Sequence, residues 1–433
     1  RVAGRKRPVH QKRKPLGLER SRADANSRPT DSTRVPALSH LAITTQSDLI
    51  DYCNRLARAD WIAMDTEFVS EDSYRHELCL IQVASSEGMG LIDAVAIDDA
   101  TPFWKMLVEG EHETIVHAGR GDLEFCLRAV EQRPKRLFDT QVAAGLVGIE
   151  YPIGLRNLIL KVVGDRSKKH ETRTDWRRRP LSARQIEYAM DDVRHLREIA
   201  DYLHARLDQL GRIAWLREEM ERWQDEIERS ILQDRWRRLS GSSGMDRKSL
   251  ALARELWRWR EMEAERRNTP ARRVLRDDLL VELAKRQTSD PKRIRAVRGF
   301  ERRNLVRAVP EIAECIARAL ELPEDEWPSK EPFESKPQLS VLGQFLFSAL
   351  GSIAREAHLA PSLVGGPNDV RDLINYRTGN GRRGTPPALS IGWRAELVGH
   401  LFDDLLAGKI AVRVDDAASD HPLAFDHVDG VES

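Results

Sequence analysis

Four carboxylates and one phenol, in three separate stretches, are the residues of this chain best equipped for chemistry: Asp65 with Glu67, then Asp122, then Tyr188 with Asp192. Trp61-Ile-Ala-Met-Asp-Thr-Glu-Phe68 is an apolar run long enough for a buried strand that carries two acids one residue apart. Alternation along a strand puts Asp65 and Glu67 on one face. Like charges held there repel and lose hydration, so the pair calls for a cation or a cluster of donors. Carboxylates without cysteine or paired histidine suit a hard, oxygen-preferring ion such as Mg²⁺ or Mn²⁺. Two such ions promote phosphodiester hydrolysis by activating water, neutralising the phosphate and stabilising the leaving oxygen.

The elements that must hold these acids can be read around them. Thr114-Ile-Val-His-Ala-Gly119 reads as a strand, Arg120-Gly121 as a tight turn, and Asp122 to Val130 as a helix with Asp122 at or beside its N-cap. A capping aspartate stabilises by about 1 kcal/mol and is the competing explanation for Asp122. Glu124 lies further into the same helix. In Leu181 to Leu196, Ser182 is the expected N-cap and Ile186, Ala189, Val193 and Leu196 give a helical apolar stripe. Tyr188 and Asp192 are four apart and share a face, which Asp191 also reaches.

In order along the chain, Asp65-Thr-Glu-Phe68, Tyr74-Arg-His-Glu-Leu-Cys-Leu-Ile-Gln-Val83, His117-Ala-Gly-Arg-Gly-Asp-Leu-Glu124, Phe138-Asp-Thr-Gln141, Thr172 to Ser182 and Tyr188-Ala-Met-Asp-Asp-Val193 resemble the ribonuclease D branch of the DEDD exonuclease superfamily. The resemblance covers about 40 to 205. It is to the tyrosine variant, because the histidine variant places His five residues before the last aspartate and that position here is Glu187. The family spacing of Tyr, three residues, Asp selects Asp192 over Asp191. Two departures stand out: Gly121 where a polar residue is common before the aspartate, and His170 where a small hydroxyl residue is usual.

The resemblance implies an α/β fold with a ribonuclease H-like mixed sheet. It also implies 3′-5′ removal of nucleotides from RNA, releasing nucleoside 5′-monophosphates, with Asp65, Glu67, Asp122 and Asp192 as ligands of two divalent ions, Mg²⁺ or Mn²⁺. Asp65 would bridge the ions, Glu67 and Asp192 would complete the nucleophile-side one, and Asp122 would hold the leaving-group one. Tyr188 would orient the attacking water, since an ordinary phenol pKa of about 10 makes it a poor base at neutral pH. Expected substrate contacts are Thr66, Phe68, His117, Arg177 and Arg178, with Trp176 offering a flat indole beside the arginines. Transfer RNA precursors with a free 3′ end are the expected substrate, and single-stranded DNA is the alternative. A catalytically inactive nucleic-acid adaptor is the reading from another class, and the presence of all four acids disfavours it.

The rest of the chain reads as helical. Leu210 to Trp236 is a charged helix or pair of helices, and Ser240-Gly-Ser-Ser-Gly-Met245 is a linker, so that 206–245 forms a connector. Residues from about 246 to 325 resemble the helicase-and-ribonuclease-D C-terminal (HRDC) domain, with Trp257, Trp259 and Val274 in its core and Arg258, Arg266, Arg267, Arg272 and Arg273 as candidate phosphate contacts. A Pro/Glu/Ser-rich linker at 326–338 precedes a distal helical module at 339–415, looser in its resemblance, and an acidic tail at 416–433 expected to be disordered.

Composition fits this plan. At 433 residues the chain is long enough for two or three domains, and 41% hydrophobic with 32% charged residues suits well-solvated helical surfaces. The net charge of +1 hides an opening segment through Pro36 of about +8, with eleven Lys or Arg against three acids. That segment lacks apolar periodicity and is expected to be disordered. It is Arg-rich like a transit peptide but has no amphipathic spacing, and the missing initiator Met points to an upstream extension or a misassigned start. No apolar run approaches the roughly 20 residues of a membrane span. Cys53, Cys79, Cys126 and Cys315 are scattered without ligand spacing, so a reducing cytoplasm and a monomer are the expected setting.

Overall fold

The computed structural model describes residues 41–165, 174–232, 235–242, 244–329, 340–379 and 386–428. The basic opening segment, most of the Pro/Glu/Ser-rich linker, and Arg173 and His170 lie outside the described residues. Strands β1 (Leu41–Ile43), β2 (Trp61–Val69), β3 (Glu77–Ser85), β4 (Gly88–Asp93), β5 (Glu113–Val116) and β6 (Leu137–Asp139) form one sheet in the order β1-β4-β3-β2-β5-β6. The β2/β3 and β3/β4 pairs are antiparallel and the other three are parallel, which makes the sheet mixed.

Helices cover both faces, and β2 shows how the pattern divides its residues between them. Ile62 and Met64 enter the core beneath α1 (Gln46–Leu56) and α2 (Thr101–Glu109), the side from which α3 (Arg120–Val130) sends in Cys126. Ala63 enters the opposite core, with α4 (Thr140–Leu146), α5 (Leu155–Val162), α6 (Ala183–Arg194) and α7 (Leu196–Gln209). Asp65 and Glu67 continue the face that Ala63 begins, so both point toward α6. A β-bulge between Glu67 and Phe68 ends that regularity, a device that re-aims side chains at the edges of functional sites.

Helix α8 (Ile213–Leu232) leads into a second unit with its own core. Helices α9 (Arg247–Arg266), α10 (Ala271–Val274), α11 (Asp277–Arg286), α12 (Pro291–Arg295) and α13 (Arg303–Leu320) enclose Leu256, Leu280, Phe300 and Ile312. Trp259 and Val274 are buried in it and Trp257 is half-buried against it. Trp236, Leu239 and Met245 belong to this same core, because apolar residues flanking a Gly/Ser turn can fold back onto one cluster.

The distal helices α14 (Val341–Glu356), α15 (Pro361–Val364), α16 (Pro367–Arg377), α17 (Gly392–Arg394) and α18 (His400–Leu406), with a π-helical turn at Ala395–Gly399, share the core on the α6 side of the sheet through Leu346, Leu350, Leu363 and Trp393. Buried arginines on each side make the join. Arg212 donates to the carbonyls of Leu146 at 2.7 Å and His358 at 3.0 Å, and to that of Ala357. Arg394 donates to both carboxylate oxygens of Glu219, at 2.6 and 3.0 Å, and Arg222 donates to the same carboxylate.

The tail departs from expectation. Strands β7 (Ile410–Val414) and β8 (Leu423–His427) pair antiparallel, so the segment is an ordered hairpin through His427 rather than a disordered end. Leu423 and Phe425 pack against the main core and the Leu423 N–H donates to Ser352 Oγ at 3.2 Å. These long-range contacts overcome a local composition rich in acids. Among the described residues no helix is long and apolar enough to cross a membrane.

Arg222 also donates to Glu219, so removing Arg394 leaves that carboxylate paired but takes away its charge-assisted hydrogen bonds from Arg394, at a cost of about 1.5 to 3 kcal/mol. Arg394→Met should therefore lower the free energy of unfolding by that amount, followed through the fluorescence of Trp393, which packs at the same join. An unfolding free energy within about 0.5 kcal/mol of wild type, the usual surface-mutation scale, would show that this pair does not hold the distal helices in place.

Candidate active site

Three of the four carboxylates converge. Asp65, Glu67 and Asp192 each offer an oxygen, and these oxygens all lie within 4.8 Å of one another. Asp65 and Glu67 come from β2, and Asp192 comes from the face of α6 turned to the sheet. The start of α6 is fixed by a capping box: Ser182 Oγ accepts from the Gln185 N–H at 3.2 Å, and Gln185 Oε1 accepts from the Ser182 N–H at 3.0 Å. Asp191 instead pairs with Arg194 at 3.2 Å, so the same helical turn sends one acid to the cluster and the other to a surface partner. The Tyr188 hydroxyl hydrogen-bonds Asp192.

Asp122 reaches the group from the far side of β2. The helix α3 begins two residues earlier than the sequence suggested, at Arg120, because Arg120 and Gly121 continue helical instead of forming a turn. Asp122 therefore sits in the first turn, and Thr66 Oγ1 donates to its Oδ1 at 2.5 Å. The entry to α3 is tight. Ala118 has φ 54°, and a Cβ on Gly119 would come within 2.7 Å of Val116 and 3.2 Å of Asp122 Oδ2. Buried Asp139 secures that entry by accepting from the Gly119 N–H at 3.0 Å while capping α4 through the Gln141 N–H at 2.8 Å. This role of Asp139 was legible only as the Phe138-Asp-Thr-Gln141 signature, without its reason.

The electrostatics record the crowding. Burial first, and then the charges of Asp122, Asp192 and Glu67, hold the Asp65 carboxyl well above the ordinary carboxylate range. Burial and the charges of Asp192 and Asp122 push Glu67 up to about 8. Burial and Asp191 raise Asp192 to about 7 against the opposing hydrogen bond from Tyr188. Burial raises Asp122 to about 6 although the Thr66 hydroxyl favours its charged form. Tyr188 is itself raised above an ordinary phenol by burial and by Asp192, Glu67 and Asp65, so it stays protonated at neutral pH.

A divalent cation fits this donor set. The converging atoms are all carboxylate oxygens, their residues are half-buried, and the neighbouring charges that act on Glu67 are negative. A positive ion would relieve the repulsions among Asp65, Glu67, Asp122 and Asp192 that raise Asp65 and Glu67.

The five expected substrate contacts are placed differently from one another. Thr66 is buried and engaged with Asp122, so its hydroxyl supports an acid. Phe68 is half-buried, with its ring edge-on to Phe125 at 5.5 Å and stacked on His76 at 4.9 Å. His117 uses both ring nitrogens internally, toward Thr140 Oγ1 at 2.8 Å and the Ile153 carbonyl at 3.0 Å. Since a carbonyl only accepts, Nε2 carries a proton; the Thr140 hydroxyl that faces Nδ1 also donates to the Val116 carbonyl at 3.0 Å, and burial holds the imidazole below its ordinary pKa. Arg177 is tied to Asp175 at 3.0 Å, while Arg178 is the most exposed of the group, its side chain 84% accessible. Arg179 is a structural tie, donating to Asp93 Oδ1 at 2.6 Å and to the Cys79 carbonyl at 2.9 Å. Trp176 is buried with its ring 6.0 Å from that of Tyr188, so it offers no open indole face.

Comparison with known proteins bears on these features. Residues 41–208 match the 3′-5′ exonuclease family and residues 249–316 match the HRDC domain. Ribonuclease D of Zymomonas mobilis is 35% identical over 389 residues, covering 87% of this chain and 96% of that protein. Ribonuclease D of Acidiphilium cryptum is 34% identical over 393 residues, with 89% and 96% covered. The crystal structure of Escherichia coli RNase D, described as an exoribonuclease involved in structured RNA processing, superposes with a TM-score of 0.74 at 26% identity, over 86% of this chain and 99% of that one.

The raised carboxyls set a pH dependence. Where a folded-state pKa lies above the unfolded value, the folded protein binds extra protons between the two, and stability falls as pH rises through that window. For Glu67 and Asp192 the window runs from about 4 up to about 8 and about 7. In chelator, the melting temperature should fall between pH 5 and 8 more steeply in wild type than in Glu67→Gln, and added Mn²⁺ should raise it more at pH 8 than at pH 5.5. A Mn²⁺ shift of equal size at both pH values would contradict this electrostatic picture.

Proposed function

The chain belongs to the ribonuclease D family of 3′-5′ exoribonucleases, and from that premise we propose that Asp65, Glu67, Asp122 and Asp192 hold two divalent ions, Mg²⁺ or Mn²⁺, at which RNA 3′ ends are hydrolysed to nucleoside 5′-monophosphates. The observation that carries this reading is the convergence of oxygens from Asp65, Glu67 and Asp192 within 4.8 Å. When bound, such ions lower the pKa of water, neutralise the phosphate and stabilise the leaving 3′ oxygen. Asp65, Glu67 and Asp192 form one ligand set, and Asp122, held by Thr66, supplies the other side. The Tyr188 hydroxyl is kept protonated by the acids around it, so it orients water through its hydrogen bond to Asp192 and is not the base.

The substrate is RNA with a free 3′ end, and transfer RNA precursors are the class we infer, in keeping with the structured-RNA role stated for the Escherichia coli relative. Nucleic acid also meets the HRDC domain. Of the candidate phosphate contacts, Arg258 is held by Glu255 at 3.1 Å, Arg266 and Arg267 by Glu263, Arg272 by Asp277 at 3.2 Å and Arg273 by Asp72 of the β2–β3 loop at 2.8 Å. Phosphate contact by these five requires exchange of partners. Four buried, unpaired thiols favour a reducing cytoplasm.

The test is a time course on a 3′-extended transfer RNA, with a single-stranded DNA control, in Mg²⁺, Mn²⁺ and chelator. Stepwise release of 5′-monophosphates should need the ion and should be faster on RNA. Asp122→Asn and Asp192→Asn should each lower kcat by at least about 100-fold, and Tyr188→Phe by roughly 10- to 100-fold, through loss of orientation. Equal rates for wild type and the two aspartate variants, or products other than 5′-monophosphates, would overturn the assignment, and a chain that binds RNA without cleaving it would be an adaptor.

A further inference from the structure

We propose that His76 is the stacking surface for a nucleobase at the 3′ end of the substrate, a role that rests on the exonuclease reading above. Phe68 is the aromatic residue that the sequence offers for this task, since it directly follows Glu67. The structure commits it elsewhere. Its ring lies against Gly121, the residue before Asp122, so closely that a Cβ there would come within 3.2 Å of Phe68 Cε1. The ring also meets Phe125 edge-on, at 5.5 Å and 62°. Phe68 thus braces the backbone beside two of the acids, and Gly121, which departs from the family pattern, is what gives its ring room.

One face of Phe68 is covered by the His76 imidazole, with ring centroids 4.9 Å apart and planes 10° from parallel. His76 itself is exposed. The stack that begins beside Glu67 therefore ends in an exposed imidazole. Histidine is among the side chains on which unstacked bases are received, and the stack that a base would extend is built on Phe68, which follows Glu67 and lies against the residue before Asp122.

The shelf is also fixed in position. His76 ends the loop between β2 and β3, and the HRDC domain grips that loop at three points. Asp72 pairs with Arg273 at 2.8 Å, the Tyr74 N–H donates to Asn268 Oδ1 at 3.2 Å, and Arg75 pairs with Glu265. The Tyr74 side chain packs against the HRDC core. A surface braced on both sides receives a base without having to be ordered first.

The test uses the full chain and an RNA tetranucleotide, with His76→Ala and His76→Phe compared with wild type in Mn²⁺. Losing one stacked base costs about tenfold in affinity, so His76→Ala should raise KM about tenfold with little change in kcat, and His76→Phe should restore it. In the Asp122→Asn background, where turnover is slowed, 2-aminopurine placed as the last or next-to-last base should be quenched on binding when His76 is retained or changed by His76→Phe, and unquenched in His76→Ala. Melting curves check that each variant is folded. An active wild type with unchanged KM and quenching in His76→Ala would overturn the shelf alone, as would a His76→Phe variant no better than His76→Ala. A wild type that neither cleaves nor quenches would remove the exonuclease reading beneath it and the shelf with it.

Discussion

The burial of four carboxylates close to one another is the constraint around which this protein is arranged. Asp65, Glu67, Asp122 and Asp192 each carry a raised pKa, and in every case burial is the first cause. Groups so placed scatter unless the backbone that bears them is held. The support is correspondingly dense. A strand fixes Asp65 and Glu67 by alternation, a capping box fixes the helix of Asp192, and Thr66 with Asp139 fixes the turn and side chain of Asp122. The unpaired negative charge that remains gives a divalent cation its place.

The parts of the site that depend on local spacing were legible in the sequence. One intervening residue puts Asp65 and Glu67 on a common strand face, and a four-residue interval aligns Tyr188 with Asp192. The choice between Asp191 and Asp192 needed the family spacing, and the structure supplies its physical counterpart in the Asp191–Arg194 pair. Features fixed by distant partners were not legible. That Trp176 is buried against Tyr188, that His117 is occupied at both nitrogens and that Arg179 ties β3 to β4 all depend on contacts that local spacing does not encode. The same reason explains two features of the organisation. The acidic tail forms a hairpin through His427 because Leu423 and Phe425 find the main core, and Leu239 and Met245, on either side of the Gly/Ser residues, share one cluster.

The helical regions relate to the sheet in two different ways. The distal helices merge with its core through buried arginines, so they behave as part of the same folding unit. The HRDC domain keeps a separate core and touches the β2–β3 loop through the packed Tyr74 side chain and through exposed ion pairs that individually contribute little to stability. Such contacts set the position of the loop that leads from the strand of Asp65 and Glu67 to β3.

The central claim, that these carboxylates are gathered to hold cations, is tested most directly by diffraction from crystals soaked in Mn²⁺ with an RNA trinucleotide, using the anomalous signal of the metal. The account predicts two manganese peaks in the cleft, one touching Asp65, Glu67 and Asp192 together and a second on the Asp122 side. Crystals that bind the trinucleotide there with no manganese against these acids would contradict it.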